Sequence, residues 1–273
     1  MAIKDLLAVV DTGDKDEQFI RDAVSFAEFH EARLTFLILS VIPSNDYVGL
    51  YGAPYILLQD FTEAVEAKEK RLAERTRQSN VEVRTISDLP DTMMKKSAVQ
   101  ARYADLVLFG AAETYEYPPV RRHTIESILF ASGRPVLILP SGYTPRPFDH
   151  VAVGWNATRE ATHALRDATG IAAPGARVEI LVLNGKPSTK GHGSDPGADI
   201  AHHLARHGFA SNVVPLDALE KSDAEVLVQG ARQHGAGLLA LGSYGHSRLR
   251  EIILGGVTRD LLDGAPIPLL FSH

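Results

Sequence analysis

The chain has 273 residues, enough for two domains of ordinary size, and its apolar share of 45% and charged share of 23% suit a globular protein. A formal net charge of −6 argues against nucleic acid or an anionic membrane as a partner, and no apolar run reaches the roughly 18 residues that a bilayer span needs. The absence of cysteine excludes disulfides, thiolate metal sites and thiol catalysis together.

The opening Lys4-Asp5 and the apolar stretch after it are too acidic and too short for a secretory signal, so a buried strand and a cytoplasmic location are expected. From there, short apolar runs alternate with longer amphipathic stretches. Strands are expected at Leu6–Asp11, Arg33–Ile42, Val81–Ser87, Ala104–Ala111 and Pro135–Pro140, with helices near 15–30, 57–77, 92–102 and 121–132. On helix 57–77, Glu63, Glu66 and Glu69 stand against Lys68, Lys70 and Arg71, which predicts a solvated, charge-laced face. Gly142, Pro145 and Pro147 directly follow a strand and mark a boundary, giving domains at 1–141 and 149–273. The second half repeats the series, with strands at Val151–Asn156, Arg177–Asn184, Ala210–Asp217, Gly237–Gly242 and Ile267–Ser272 and helices near 159–173, 197–208, 222–235 and 248–263. Matching features such as Gly110 and Gly242 lie about 132 residues apart, the period of a duplicated domain. Strands separated by helices imply α/β domains, each with a parallel sheet covered on both faces.

The informative segment is Gly242-Ser243-Tyr244-Gly245-His246, which leaves a buried strand and runs on to Gly255-Gly256-Val257. Gly242 and Gly245 allow the backbone to approach a ligand closely. Gly255 and Gly256 interrupt a helical pattern, where each costs about 1 kcal/mol relative to Ala. A new helix starting near Gly255 would account for them, and its free N–H groups would form an anion site at the carboxyl ends of the strands. The alternative is that these glycines serve only close helix–strand packing. In the first half, the segment from Gly110 to Thr124 places Glu113 near the second glycine and Arg122-His123 at the glycine pair, so side chains are expected to fill the phosphate space. Asp11 ends the first strand there.

His203 and His207 are one helical turn apart, near His192 and His202, but the pattern reads as an amphipathic helix ending at Gly208, and no metal site is expected. Neither a G-x-S-x-G elbow nor a Walker lysine motif is present, and Ser243 and Ser247 are expected to cap the following helix. A dedicated enzyme is not expected.

Gly242-x-x-Gly245, nine residues, then Gly255 has the spacing of the universal stress protein nucleotide motif. Val151-Ala152-Val153-Gly154-Trp155-Asn156-Ala157-Thr158 resembles that family's first strand and turn, and the resemblance covers both halves. It implies two tandem Rossmann-like domains of the adenine nucleotide alpha hydrolase type, each a five-stranded parallel sheet of order 3-2-1-4-5 flanked by helices. It also implies ATP or another adenine nucleotide bound by the second half, with magnesium only as the nucleotide's companion. The loop residues Gly242, Gly245, His246, Gly255, Gly256 and Val257 would meet ribose and phosphates. Asn156 would hold the ribose, and Val182 or Leu183 the adenine. Two departures stand out. Gly256 replaces the motif's Ser or Thr, removing a hydroxyl for a terminal phosphate, and Asn156 replaces an aspartate, keeping one acceptor oxygen. The resemblance implies a nucleotide-responsive regulatory protein of the stress response; a homodimer of whole chains is a separate expectation, from apolar surface left over. A nucleotide-free stress-adaptation scaffold and a weak ATPase are the rival readings.

Overall fold

Strand β1 (Asp5–Asp11) is apolar on both faces after its first residue, as an inner strand of a parallel sheet must be. It lies between β2 (Arg33–Val41) and β4 (Leu106–Gly110), pairing Leu6 with Leu34 on one side and with Leu106 on the other. The computed structural model describes residues 3–42, 54–76, 81–185, 195–243 and 256–273, and side chains in the second helix from residue 62. With β3 (Val81–Asp88) and β5 (Val136–Leu139), the first half has the strand order β3-β2-β1-β4-β5. The second half holds β6 (His150–Gly154), β7 (Arg177–Leu183), β8 (Ala210–Leu216), β9 (Leu238–Gly242) and β10 (Leu269–Ser272). Its order, β8-β7-β6-β9-β10, is the expected 3-2-1-4-5 pattern again. The pairings of β1 with β2 and β4, and of β6 with β7 and β9, are parallel.

The chain divides into two compact units. One holds Ile3–Val136 and Ser141–Pro145, and the other includes Leu137–Pro140 and Arg146–His273. The helices of the first half are α1 (Glu17–Phe29), α2 (Pro54–Arg75), α3 (Pro90–Ala101) and α4 (Pro118–Ala131). Those of the second are α5 (Arg159–Ile171), α6 (Ala198–Arg206), α7 (Asp223–Gln233) and α8 (Gly256–Leu261). Local chemistry starts them where it should. Pro90 and Pro118 occupy first-turn positions whose N–H would be unpaired anyway, Thr158 caps α5, and Ser222 with Glu225 closes a capping box on α7. The inward stripe of α1 is Phe19, Ala23, Phe26 and Ala27, at the spacing of one helix face. No described helix is long and apolar enough to cross a membrane.

The sheet also buries charge that periodicity does not reveal. Glu179, in the middle of apolar β7, accepts hydrogen bonds from Asn212 at 2.8 Å and from the His150 ring at 2.9 Å. Lys68 departs from the solvated face expected of it. Its side chain is 1% exposed, and its ammonium sits 2.5 Å from both carboxylate oxygens of Asp16, itself 2% exposed. The ammonium also donates to the Gly13 carbonyl at 2.8 Å, so α2 is tied to the turn that ends β1.

Lys68→Met should therefore strand a buried carboxylate and destabilise the first unit by about 3–5 kcal/mol, while Asp16→Leu together with Lys68→Met should recover most of that. Burial, partly offset by Lys68, raises the Asp16 pKa from 3.8 to about 6, so the folded state holds this proton more firmly than the unfolded chain. The stability Asp16 contributes is full below about pH 4 and is lost as pH rises through about 6. Removing Lys68 pushes that pKa higher still. Urea unfolding should then show a larger deficit for Lys68→Met at about pH 8 than at about pH 5, and equal deficits would contradict this account.

Candidate functional site

The carboxyl ends of β6, β7 and β9 open into a cleft of about 340 Å³. Trp155 and Asn156 from β6, Leu183 and Asn184 from β7, Gly242 from β9, and Asp223 and Val257 from the first turns of α7 and α8 line it. Segments far apart in sequence meet there because parallel strands all end on the same side and each chain reversal passes over it. Asn156, Leu183, Gly242 and Val257 are brought together as expected residues of one site. Val182 is buried and lies beside Gly185 and Gly197, so of the two alternatives on β7 it is Leu183 that reaches the cleft. Gly245, His246 and Gly255, with Ser247 and His192, lie outside the described residues.

Helix α8 is described over Gly256–Leu261, and the residues before it lie outside the described ones. The two described glycines of the loop exist for different reasons. A β-carbon on Gly242 would come within 2.5 Å of the backbone at Glu160 and Ala161, so packing against the start of α5 demands glycine there. A β-carbon on Gly256 would meet no atom of the described residues within 4 Å. Packing among the described residues explains the first and not the second.

Asn156 is engaged locally through its single acceptor. Its side-chain oxygen takes the Thr158 hydroxyl at 2.8 Å and the Thr158 N–H at 3.3 Å, and Thr158 in turn caps α5 by accepting from the Ala161 N–H. The amide NH2 is what Asn156 has left to offer a ligand. Ser243 is buried and donates to the Ser272 carbonyl at 2.9 Å, and the residues it is expected to cap lie outside the described ones. His203 and His207 stack with ring centroids 4.5 Å apart, and no group of three or more metal-ligating side chains occurs among the described residues.

The sequence profile of the universal stress protein family matches residues 147–273. The second half is thus a universal stress protein domain. A universal stress protein from Archaeoglobus fulgidus DSM 4304 has the same fold across nearly the whole chain: TM-score 0.67, 14% identity, covering 97% of this chain and 95% of that one. A functionally unknown protein from Pseudomonas aeruginosa PAO1 superposes with a TM-score of 0.56 at 13% identity, covering 99% of this chain and 92% of its own. No curated protein sequence matches the chain.

Against the universal stress protein domain of the second half, the same place in the first half is filled by protein. Arg121, buried, donates from Nε and Nη2 to the Gly110 carbonyl at 2.9 and 2.7 Å, with its guanidinium 5.3 Å from the Tyr115 ring centroid and 5.9 Å from that of Phe109. The Tyr115 hydroxyl donates to the Val9 carbonyl at 2.5 Å and accepts from the Gly110 N–H at 3.3 Å, and burial pushes its pKa above the ordinary phenol range. Asp11 uses one oxygen on the Gly13 N–H and the other on the N–H groups of Glu116 and Tyr117. Filling by side chains was expected, but from Arg122 and His123; the residues that do it are Arg121 and Tyr115.

Tyr115→Phe should leave the Val9 carbonyl and Gly110 N–H buried without partners and destabilise the chain by about 1–3 kcal/mol in urea unfolding. A loss below about 0.5 kcal/mol would show that these groups are satisfied without the hydroxyl. In the second half, Gly242→Ala should be destabilising by about 1–3 kcal/mol because it forces backbone apart, whereas Gly256→Ser should leave unfolding nearly unchanged.

Proposed function

We propose that the second half binds one adenine nucleotide in the cleft at the ends of β6, β7 and β9, and that the chain acts as a nucleotide-responsive regulatory protein of stress adaptation and not as an enzyme. The observation that carries this reading is the convergence of Asn156, Leu183, Gly242 and Val257 on one cleft, beside a glycine that no described neighbour requires. At about 340 Å³ the cleft falls within the range of small-ligand sites, roughly 300–1,000 Å³. Leu181, Leu183, Leu227 and Leu241 offer the base an apolar wall, and the Asn156 amide offers the ribose a donor. Phosphates would extend toward the start of α8, with magnesium as their companion. The described hydroxyl nearest the loop, Ser243, is buried and already bonded, which speaks against a nucleophile there. In the first half, Arg121 and Tyr115 occupy the corresponding space among the described residues, which supports a stoichiometry of one per chain.

Calorimetric titration should give one adenine-nucleotide site per chain, and mass spectrometry of material released from denatured protein should detect the bound species. Two equivalent sites, or no binding at millimolar nucleotide, would refute the proposal; the latter would favour a nucleotide-free scaffold. Gly256→Ser, with no described residue against the new side chain, should tighten ATP more than AMP by about tenfold, since a hydrogen bond to a charged group is worth about 1.5–3 kcal/mol. Equal changes for the two nucleotides would remove the hydroxyl argument.

A further inference from the structure

We propose that Asp223 selects the base of the ligand in this cleft by accepting a hydrogen bond from an amino-bearing base edge; the inference rests on the nucleotide reading above. Three polar side chains line the described part of the cleft: Asn156, Asn184 and Asp223. The two asparagine oxygens are in use. That of Asn156 accepts from Thr158, and that of Asn184 accepts from the Ala218 N–H at 3.2 Å. Asp223 is exposed, and its carboxylate makes no hydrogen bond or ion pair with any described residue. Among the described side-chain acceptors of the cleft wall, it is the one with no described partner.

Electrostatics decide which part of a nucleotide faces it. Asp223 stands in the first turn of α7, where Glu225 adds a second carboxylate. The donors of this helix end are already partly used, because the Glu225 N–H bonds Ser222 Oγ at 3.2 Å and the Glu225 side chain bonds the Ser222 N–H at 3.1 Å. A phosphate is therefore repelled from this end and finds fewer free donors in it. The uncharged end of the ligand faces Asp223 instead. Strand order gives the ligand two ends: β7 and β9 lie on opposite sides of β6, so Leu183 and Asn184 are set apart from Gly242. A carboxylate has acceptors and no donor, so it favours an edge bearing N–H and offers nothing to one without it. Adenine's exocyclic amine supplies that donor.

The probe pair is AMP and purine riboside 5′-monophosphate, which differ by the amino group alone. Calorimetry on the full chain should show AMP bound about fivefold tighter or more. In Asp223→Ala the ratio should fall to about one, and Asp223→Asn, which keeps an amide oxygen, should retain part of it. Urea unfolding of both variants checks that they fold, and with Asp223 at an exposed first turn both should. If AMP binds the parent protein and Asp223→Ala leaves the ratio unchanged, this inference is wrong while the nucleotide reading stands. If neither compound binds the parent protein, the nucleotide reading fails and this inference falls with it.

Discussion

Everything in each half follows from one constraint: a parallel strand buried on both faces has no polar outlet except its ends. β1 and β6 are central strands of this kind, and helices cover them on both sides. The polar backbone groups where these strands stop must then be met by a side chain, by water or by a ligand. The two halves answer that demand differently. In the first, Asp11 takes three N–H groups, and Tyr115 and Arg121 take the Val9 and Gly110 groups. In the second, Asn156 satisfies only its own turn, and a cleft remains.

Closing the first half brings charge into the interior. Arg121 is buried against aromatic rings, and Lys68 and Asp16 are buried against each other. Buried charge of this sort contributes little net stability compared with apolar packing, but removing one partner is expensive, so it holds a specific arrangement in place. Lys68 fixes α2 to the turn after β1, and Arg121 fixes α4 to the end of β4. One copy of a duplicated fold has thus become self-contained, while its sister keeps an opening.

Glycines in the second half show why a motif and a mechanism are different things. Gly242 and Gly256 belong to the same spacing pattern, yet a side chain at the first would strike the backbone of α5 and a side chain at the second would meet no described residue. The first glycine is accounted for by the fold without reference to any ligand. The second is not explained by any described neighbour, and the residue after it, Val257, lines the cleft. Gly110, the counterpart of Gly242, is also a packing glycine, with Thr114 and Phe19 against it, in a half whose site is filled.

Sequence by itself determined the two α/β halves, their strands and helices, and Asn156 and Gly242 as neighbours of a strand-end cleft. These were legible because burial on both faces leaves continuous apolar runs, helices leave period and caps, and a duplicated domain leaves the same marks twice. Only the tertiary structure decided that Lys68 turns inward, that Glu179 is buried, that Arg121 and not Arg122 fills the first half, and that Leu183 and not Val182 reaches the cleft. Asp223 belongs with these. In sequence it is an acidic residue in the first turn of a helix, which capping preferences explain fully, and its place in the cleft wall appears only when α7 is laid over the ends of β6 and β7. Periodicity reports which face of an element is apolar; it carries no information on which partner a polar side chain meets across a sheet, because that partner comes from a distant segment.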